Sequence, residues 1–80
     1  MNVNVKKTCL NDVIILEPNI YGDERGFFYE SYNQKYFNQV TNLRINFVQD
    51  NHSLSKKGVL RGLHYQINKP QGKLIRVVKG

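Results

Sequence analysis

His64 lies within Gly58-Val59-Leu60-Arg61-Gly62-Leu63-His64-Tyr65-Gln66, two residues after a glycine and three after an arginine, in a β-patterned run. Imidazole titrates near neutrality, so a histidine in this setting can take up and return a proton as a general base. It can also be the first ligand of a metal site in a small β-barrel, where a glycine, five intervening residues and then His-x-His would be expected. Gly58 and His64 keep that spacing, but Gln66 stands at the second histidine position and Gln71 about where an acidic ligand would fall. A neutral amide is a poor substitute for imidazole or carboxylate around a divalent cation. The pattern left is that of a barrel wall carrying a free imidazole, and no bound metal is expected.

Strands must hold that imidazole. Val3 to Leu16 reads as two strands, the second being Val13 to Leu16, closed by Glu17-Pro18-Asn19. Tyr21 to Gly26 has the composition of a turn, and Phe27-Phe28-Tyr29 reads as the strand after it. Ser31 with Gln34 three residues on forms a capping-box signature. Tyr32, Tyr36, Phe37, Val40 and Leu43 then recur at helical spacing, which predicts one helix from Tyr32 to about Thr41, with Asn42 as its terminator and the aromatic stripe in the core. Three more strands are expected over 45–53, 59–66 and 74–78, separated by turn-forming stretches. Strict alternation along 59–66 would send Arg61 and His64 to opposite faces, unless Gly62 marks a bulge or bend.

The chain has 80 residues, enough for one small domain of marginal independent stability. Its longest purely apolar run, Val13 to Leu16, falls far short of the roughly 20 residues of a membrane helix. No apolar stretch of signal-peptide length follows Met1, so a cytoplasmic location is the default expectation. Cys9, the single cysteine, is read as a small buried or half-buried filler. Twelve Lys and Arg against six Asp and Glu give a net charge of +6, concentrated in the second half, and call for an anionic partner. The basic residues are scattered through strand-like segments, which argues against nucleic acid and suits a small phosphorylated ligand.

Four segments carry a resemblance. Gly22-Asp23-Glu24-Arg25-Gly26-Phe27-Phe28-Tyr29-Glu30-Ser31-Tyr32, Phe47-Val48-Gln49-Asp50-Asn51-His52-Ser53, Val59 to Gln66 and Gln71-Gly72-Lys73-Leu74-Ile75-Arg76 are similar, in order and spacing, to the N-terminal motifs of the dTDP-4-dehydrorhamnose 3,5-epimerase family. The resemblance covers nearly everything from Asp12 onward. It implies a mainly β fold: a partial cupin-type jelly roll of about five strands with one short helix near residues 32–41. Residues 1–80 would form a single N-terminal segment, the first half of a domain whose full form is a homodimer exchanging N-terminal strands.

The resemblance also implies a chemistry. In a 4-keto sugar the hydrogens on C3 and C5 flank the carbonyl, so a base can remove either one and leave an enolate that is reprotonated from the opposite face without any cofactor. His64 matches the family's base, and Lys73 the residue beside the enolate oxygen. Arg25 and Arg61 match its phosphate and substrate contacts, as a planar guanidinium fork suits. Gln49, Asp50 and Asn51 match a substrate-binding patch and Glu30 a further contact; His52 matches no family role. The family's general acid is a tyrosine from the second half, and the acidic residue orienting the base also comes from beyond position 80. None of Tyr21, Tyr29, Tyr32, Tyr36 and Tyr65 takes that place by position. The expected substrate is a dTDP-4-keto-6-deoxy sugar, with neither nucleic acid nor membrane as partner. Alternatives left open are a single epimerase or ketoisomerase of a related nucleotide sugar, and a non-catalytic fragment that dimerises or binds phosphate.

Overall fold

A computed structural model describes residues 3–80. The chain divides into two units, one reaching Asp50 and the other spanning Asn51–Gly80. The secondary structure lies in the first: β1 (Val3–Lys7), β2 (Ile14–Pro18), β3 (Tyr21–Asp23), β4 (Gly26–Phe28) and α1 (Gln34–Thr41).

β1 and β2 pair antiparallel from Val3↔Pro18 to Lys7↔Ile14. This register sets Val3, Val5, Ile14, Leu16 and Pro18 on one face, and Val3, Leu16 and Pro18 are half-buried there. Pro18 ends the ladder, where its missing N–H matters least. Thr8 organises the connection. Its hydroxyl donates to Val13 O at 2.7 Å, with Leu10 O also in reach at 3.0 Å, and accepts from Leu10 N at 3.1 Å. Cys9 sits in this connection and is exposed, contrary to the buried filler expected, because connections between strands run over the surface. Lys6 Nζ meets Glu17 Oε1 at 2.8 Å diagonally across the pair, a surface contact contributing at most about 1 kcal/mol.

β3 and β4 form a second hairpin, paired from Tyr21↔Phe28 to Asp23↔Gly26. The turn is thus narrower than its composition suggested. Tyr21 and Gly22 are extended, since backbone pairing with Phe28 and Phe27 outweighs local turn propensity, and only Glu24 and Arg25 lie at the tip. Gly26 closes the turn at φ +131, a conformation L side chains rarely adopt.

α1 starts two residues later than expected, at Gln34 rather than Tyr32. Asn33, in an extended conformation, caps it by accepting from Tyr36 N at 3.0 Å, and Phe37 N makes the first helical bond to Asn33 O at 2.8 Å. Capping at Asn33 rather than Ser31 places Tyr32 just before the cap and Phe37 at the fourth helical position. These two can then staple the helix start, with ring centroids 5.8 Å apart; a cap at Ser31 would have paired Glu30 with Lys35. Asn42 ends the helix as expected, in the left-handed conformation at φ 56, its N–H bonded to Asn38 O.

Beyond the helix, Asn38 folds the chain back. Its side chain donates to Ile45 O at 3.2 Å and accepts from Ile45 N at 3.0 Å, as a neighbouring strand would. Phe47 thereby reaches Phe37 and Tyr32, at 5.5 and 5.6 Å between centroids, in edge-on geometry. Phe37, the centre of this aromatic triangle, is the one buried apolar side chain among the described residues, while Tyr36 and Val40 are half-buried and Tyr32 and Leu43 remain exposed. Phe37→Ala is expected to loosen the Tyr32–Phe37–Phe47 cluster and the helix beside it, from lost burial and an incompletely collapsed cavity. Helical circular dichroism should fall with it, whereas Val48→Ala, at a position 87% exposed, should leave the spectrum as it is.

The strands expected over 45–53, 59–66 and 74–78 are not formed. A strand exists through its ladder, and a β-prone sequence without a partner backbone stays irregular. At Ile45 the Asn38 side chain takes the partner's place. Among the described residues, four strands in two small sheets therefore stand where about five were expected, and the regular structure is mainly strands with one short helix.

Candidate active site

The β3–β4 tip presents one cation in a fixed setting. Asp23 Oδ1 accepts from Arg25 N at 2.8 Å, and Asp23 Oδ2 accepts from Arg25 Nε at 3.1 Å and from Nη2 at 2.7 Å. These bonds hold the Asp23 carboxyl below the usual carboxylate range and raise the guanidinium above its ordinary value. The Arg25 side chain is nonetheless 87% exposed. Tyr21, Asp23, Arg25, Gly26, Phe27 and Phe28 line an open hollow of about 240 Å³. Phe27 stacks on Tyr29 at 6.0 Å, yet Phe27 and Phe28 stay more than 70% exposed. A cationic fork beside exposed aromatic rings can grip phosphate oxygens and face a flat ring at once. Asp23, Tyr21 and the two phenylalanines escaped the sequence reading. The signal that could have found Asp23 is an aspartate two residues before an arginine at a turn, the spacing at which its side chain bonds the backbone.

The unit Asn51–Gly80 carries His64, Lys73 and Arg61, all exposed. Its charge is of one sign: Lys56, Lys57, Arg61, Lys69, Lys73, Arg76 and Lys79 are present and no Asp or Glu. Arg61 Nη2 donates to Leu54 O at 3.3 Å, which ties the arginine to the preceding loop. Gly62 adopts φ +126, so regular alternation does not run from Arg61 to His64 and does not force the two onto opposite faces. Gln66, at the position of a second metal-binding histidine, serves the backbone instead. Its Oε1 accepts from Gln71 N at 2.8 Å and closes the loop that precedes Lys73. Among the described residues no three His, Cys, Asp or Glu side chains come together. Glu30, Gln49 and Asp50 belong to the first unit and Asn51 opens the second; all four are exposed, as is His52.

Comparison with known proteins decides what these residues belong to. The family model described as dTDP-4-dehydrorhamnose 3,5-epimerase matches residues 7–80. The chain belongs to this family. It is 60% identical over 79 residues to the dTDP-4-dehydrorhamnose 3,5-epimerase of Shigella flexneri, spanning 98% of this chain and 44% of that one. With the enzyme of the same name from Pseudomonas aeruginosa it shares 55% over 74 residues, 92% of this chain and 41% of the relative. A crystal structure of dTDP-6-deoxy-D-glucose-3,5-epimerase from Legionella pneumophila, in complex with dTDP-4-keto-L-rhamnose, aligns with 81% of this chain and 35% of its own at 54% identity and a TM-score of 0.75. The mainly β, cupin-type fold expected from the sequence is that of these relatives. The chain spans less than half the length of each. Among the described residues no helix is long and apolar enough to cross a membrane.

Proposed function

We propose that this chain is the N-terminal part of a cofactor-independent epimerase that inverts C3 and C5 of dTDP-4-dehydro-6-deoxyglucose to give dTDP-4-dehydrorhamnose. The observation that carries the reading is the family match over residues 7–80, which contains His64, Lys73, Arg25 and Arg61. His64 takes the proton from the carbon beside the carbonyl, and the electron pair moves onto the carbonyl oxygen as an enolate. Lys73 stabilises that oxygen with its charge. A proton delivered to the opposite face restores the ketone with inverted configuration, so protons removed and returned balance and no redox partner is consumed. The acid that delivers it is assigned to a tyrosine outside these residues. Arg25 and Arg61 hold the diphosphate, and Glu30, Gln49, Asp50 and Asn51 contact the rest of the nucleotide sugar. The protein works in the cytoplasm as a homodimer through N-terminal strand exchange. The two-stranded β1–β2 sheet, with an open edge on each strand among the described residues, is suited to it.

A chimera in which residues 7–80 replace the matching segment of the Shigella flexneri relative tests the assignment. In deuterated water it should incorporate deuterium at both C3 and C5 of the 4-keto substrate. Exchange at one carbon only would make it a single epimerase, and a folded chimera without exchange would reject the reading. Arg25→Ala and Arg61→Ala should each weaken dTDP binding by on the order of tenfold or more, the loss of a charge-assisted hydrogen bond.

A further inference from the structure

We propose that Asp23 is a positioning residue that presets the Arg25 guanidinium for the substrate's diphosphate, an inference that rests on Arg25 being a diphosphate contact. An arginine at the tip of a two-residue hairpin turn has many rotamers open to it, and binding an anion would have to arrest them. Here the arrest precedes the ligand. Asp23 Oδ1 fixes the Arg25 backbone at 2.8 Å, while Asp23 Oδ2 takes Nε at 3.1 Å and Nη2 at 2.7 Å, so one carboxylate orients both main chain and side chain. The bonds use one edge of the guanidinium. Nη1 and the second N–H of Nη2 remain for phosphate oxygens. Asp23 and Arg25 both line the hollow that Phe27 and Phe28 share.

Simple charge counting makes the opposite forecast. A carboxylate at an anion site repels the anion, so removing its charge should tighten binding. Preorganisation and repulsion therefore differ in sign, and one substitution separates them. Asp23→Asn keeps a side-chain oxygen for the Arg25 N–H, and hence the turn, but loses the charged bond to the guanidinium.

In the chimera described above, calorimetric titration with dTDP should show Asp23→Asn binding roughly three- to tenfold more weakly, the entropy of one unfrozen arginine side chain. In turnover the loss should fall on KM rather than kcat, since a preset fork helps ground state and transition state alike. In an Arg25→Ala background the same substitution should do nothing further. Tighter or unchanged dTDP binding in Asp23→Asn, with Arg25→Ala still weakened, overturns the positioning role alone. A loss in Asp23→Asn that persists in the Arg25→Ala background marks a purely structural aspartate and also overturns it. Wild-type affinity in Arg25→Ala rejects the diphosphate contact and the positioning role together.

Discussion

His64→Ala, in the chimera of full relative length, should stop exchange of the substrate's C3 and C5 hydrogens with deuterated solvent, a loss of roughly a thousandfold or more for a general base. Affinity for dTDP should persist, because the diphosphate contacts assigned to Arg25 and Arg61 do not involve the imidazole. The separation is the informative part: a base acts on the transition state, whereas the arginines act on binding throughout. Histidine suits the role of base because a free imidazole titrates near neutrality, which free lysine and arginine side chains do not. Lys73→Ala should also slow exchange, by leaving the enolate oxygen without its charge partner. Undiminished exchange in His64→Ala would remove the histidine from the mechanism, and a parallel loss of dTDP affinity would recast it as a binding residue.

Residues 1–80 prepared alone should not behave as a stable, cooperatively folding monomer. Phe37 is the one buried apolar side chain among the described residues, whereas Leu60, Leu63 and Ile75 are each at least 80% exposed. So small a core cannot offset the conformational entropy of ordering the whole chain. The exposed apolar segments and open sheet edges favour self-association. Sedimentation should therefore show concentration-dependent association or aggregation, and denaturation a broad transition without a steep midpoint. No epimerase turnover is expected either, since the acid is assigned outside these residues. A monomer with a sharp unfolding transition and measurable epimerisation would overturn both halves, and one of the five tyrosines would then have to supply the acid.

The parts of the first unit that were legible in the sequence are those governed by neighbours a few residues apart. The β1–β2 hairpin, the strand after the Gly26 turn and the Asn42 helix end follow from alternation and backbone preference, which act locally. The helix start differs from expectation because Ser31 and Asn33 are both competent caps, and what separates them is the Tyr32–Phe37 staple, a packing contact rather than a propensity. Asp23 blends into turn composition in the sequence: the two-residue spacing to Arg25 hints at its bond to the Arg25 N–H, but the grip on the guanidinium follows only from the hairpin register that leaves Glu24 and Arg25 alone at the tip.

By itself, the sequence determined the residue types that chemistry needs and the order in which they come: an imidazole at 64, cations at 25, 61 and 73, and amides at 66 and 71 where metal ligands would stand. Those motifs sufficed to identify the family, because their spacing along the chain survives whatever the backbone does between them. Tertiary structure alone decided which β-prone segments become strands, since a ladder needs a second backbone and none meets 59–66 or 74–78 among the described residues. It also decided that Gln66 closes the loop before Lys73, that Gly62 breaks the alternation between Arg61 and His64, and that Asp23 holds Arg25. Each of these depends on a dihedral angle or a hydrogen bond whose partner the one-dimensional pattern does not specify.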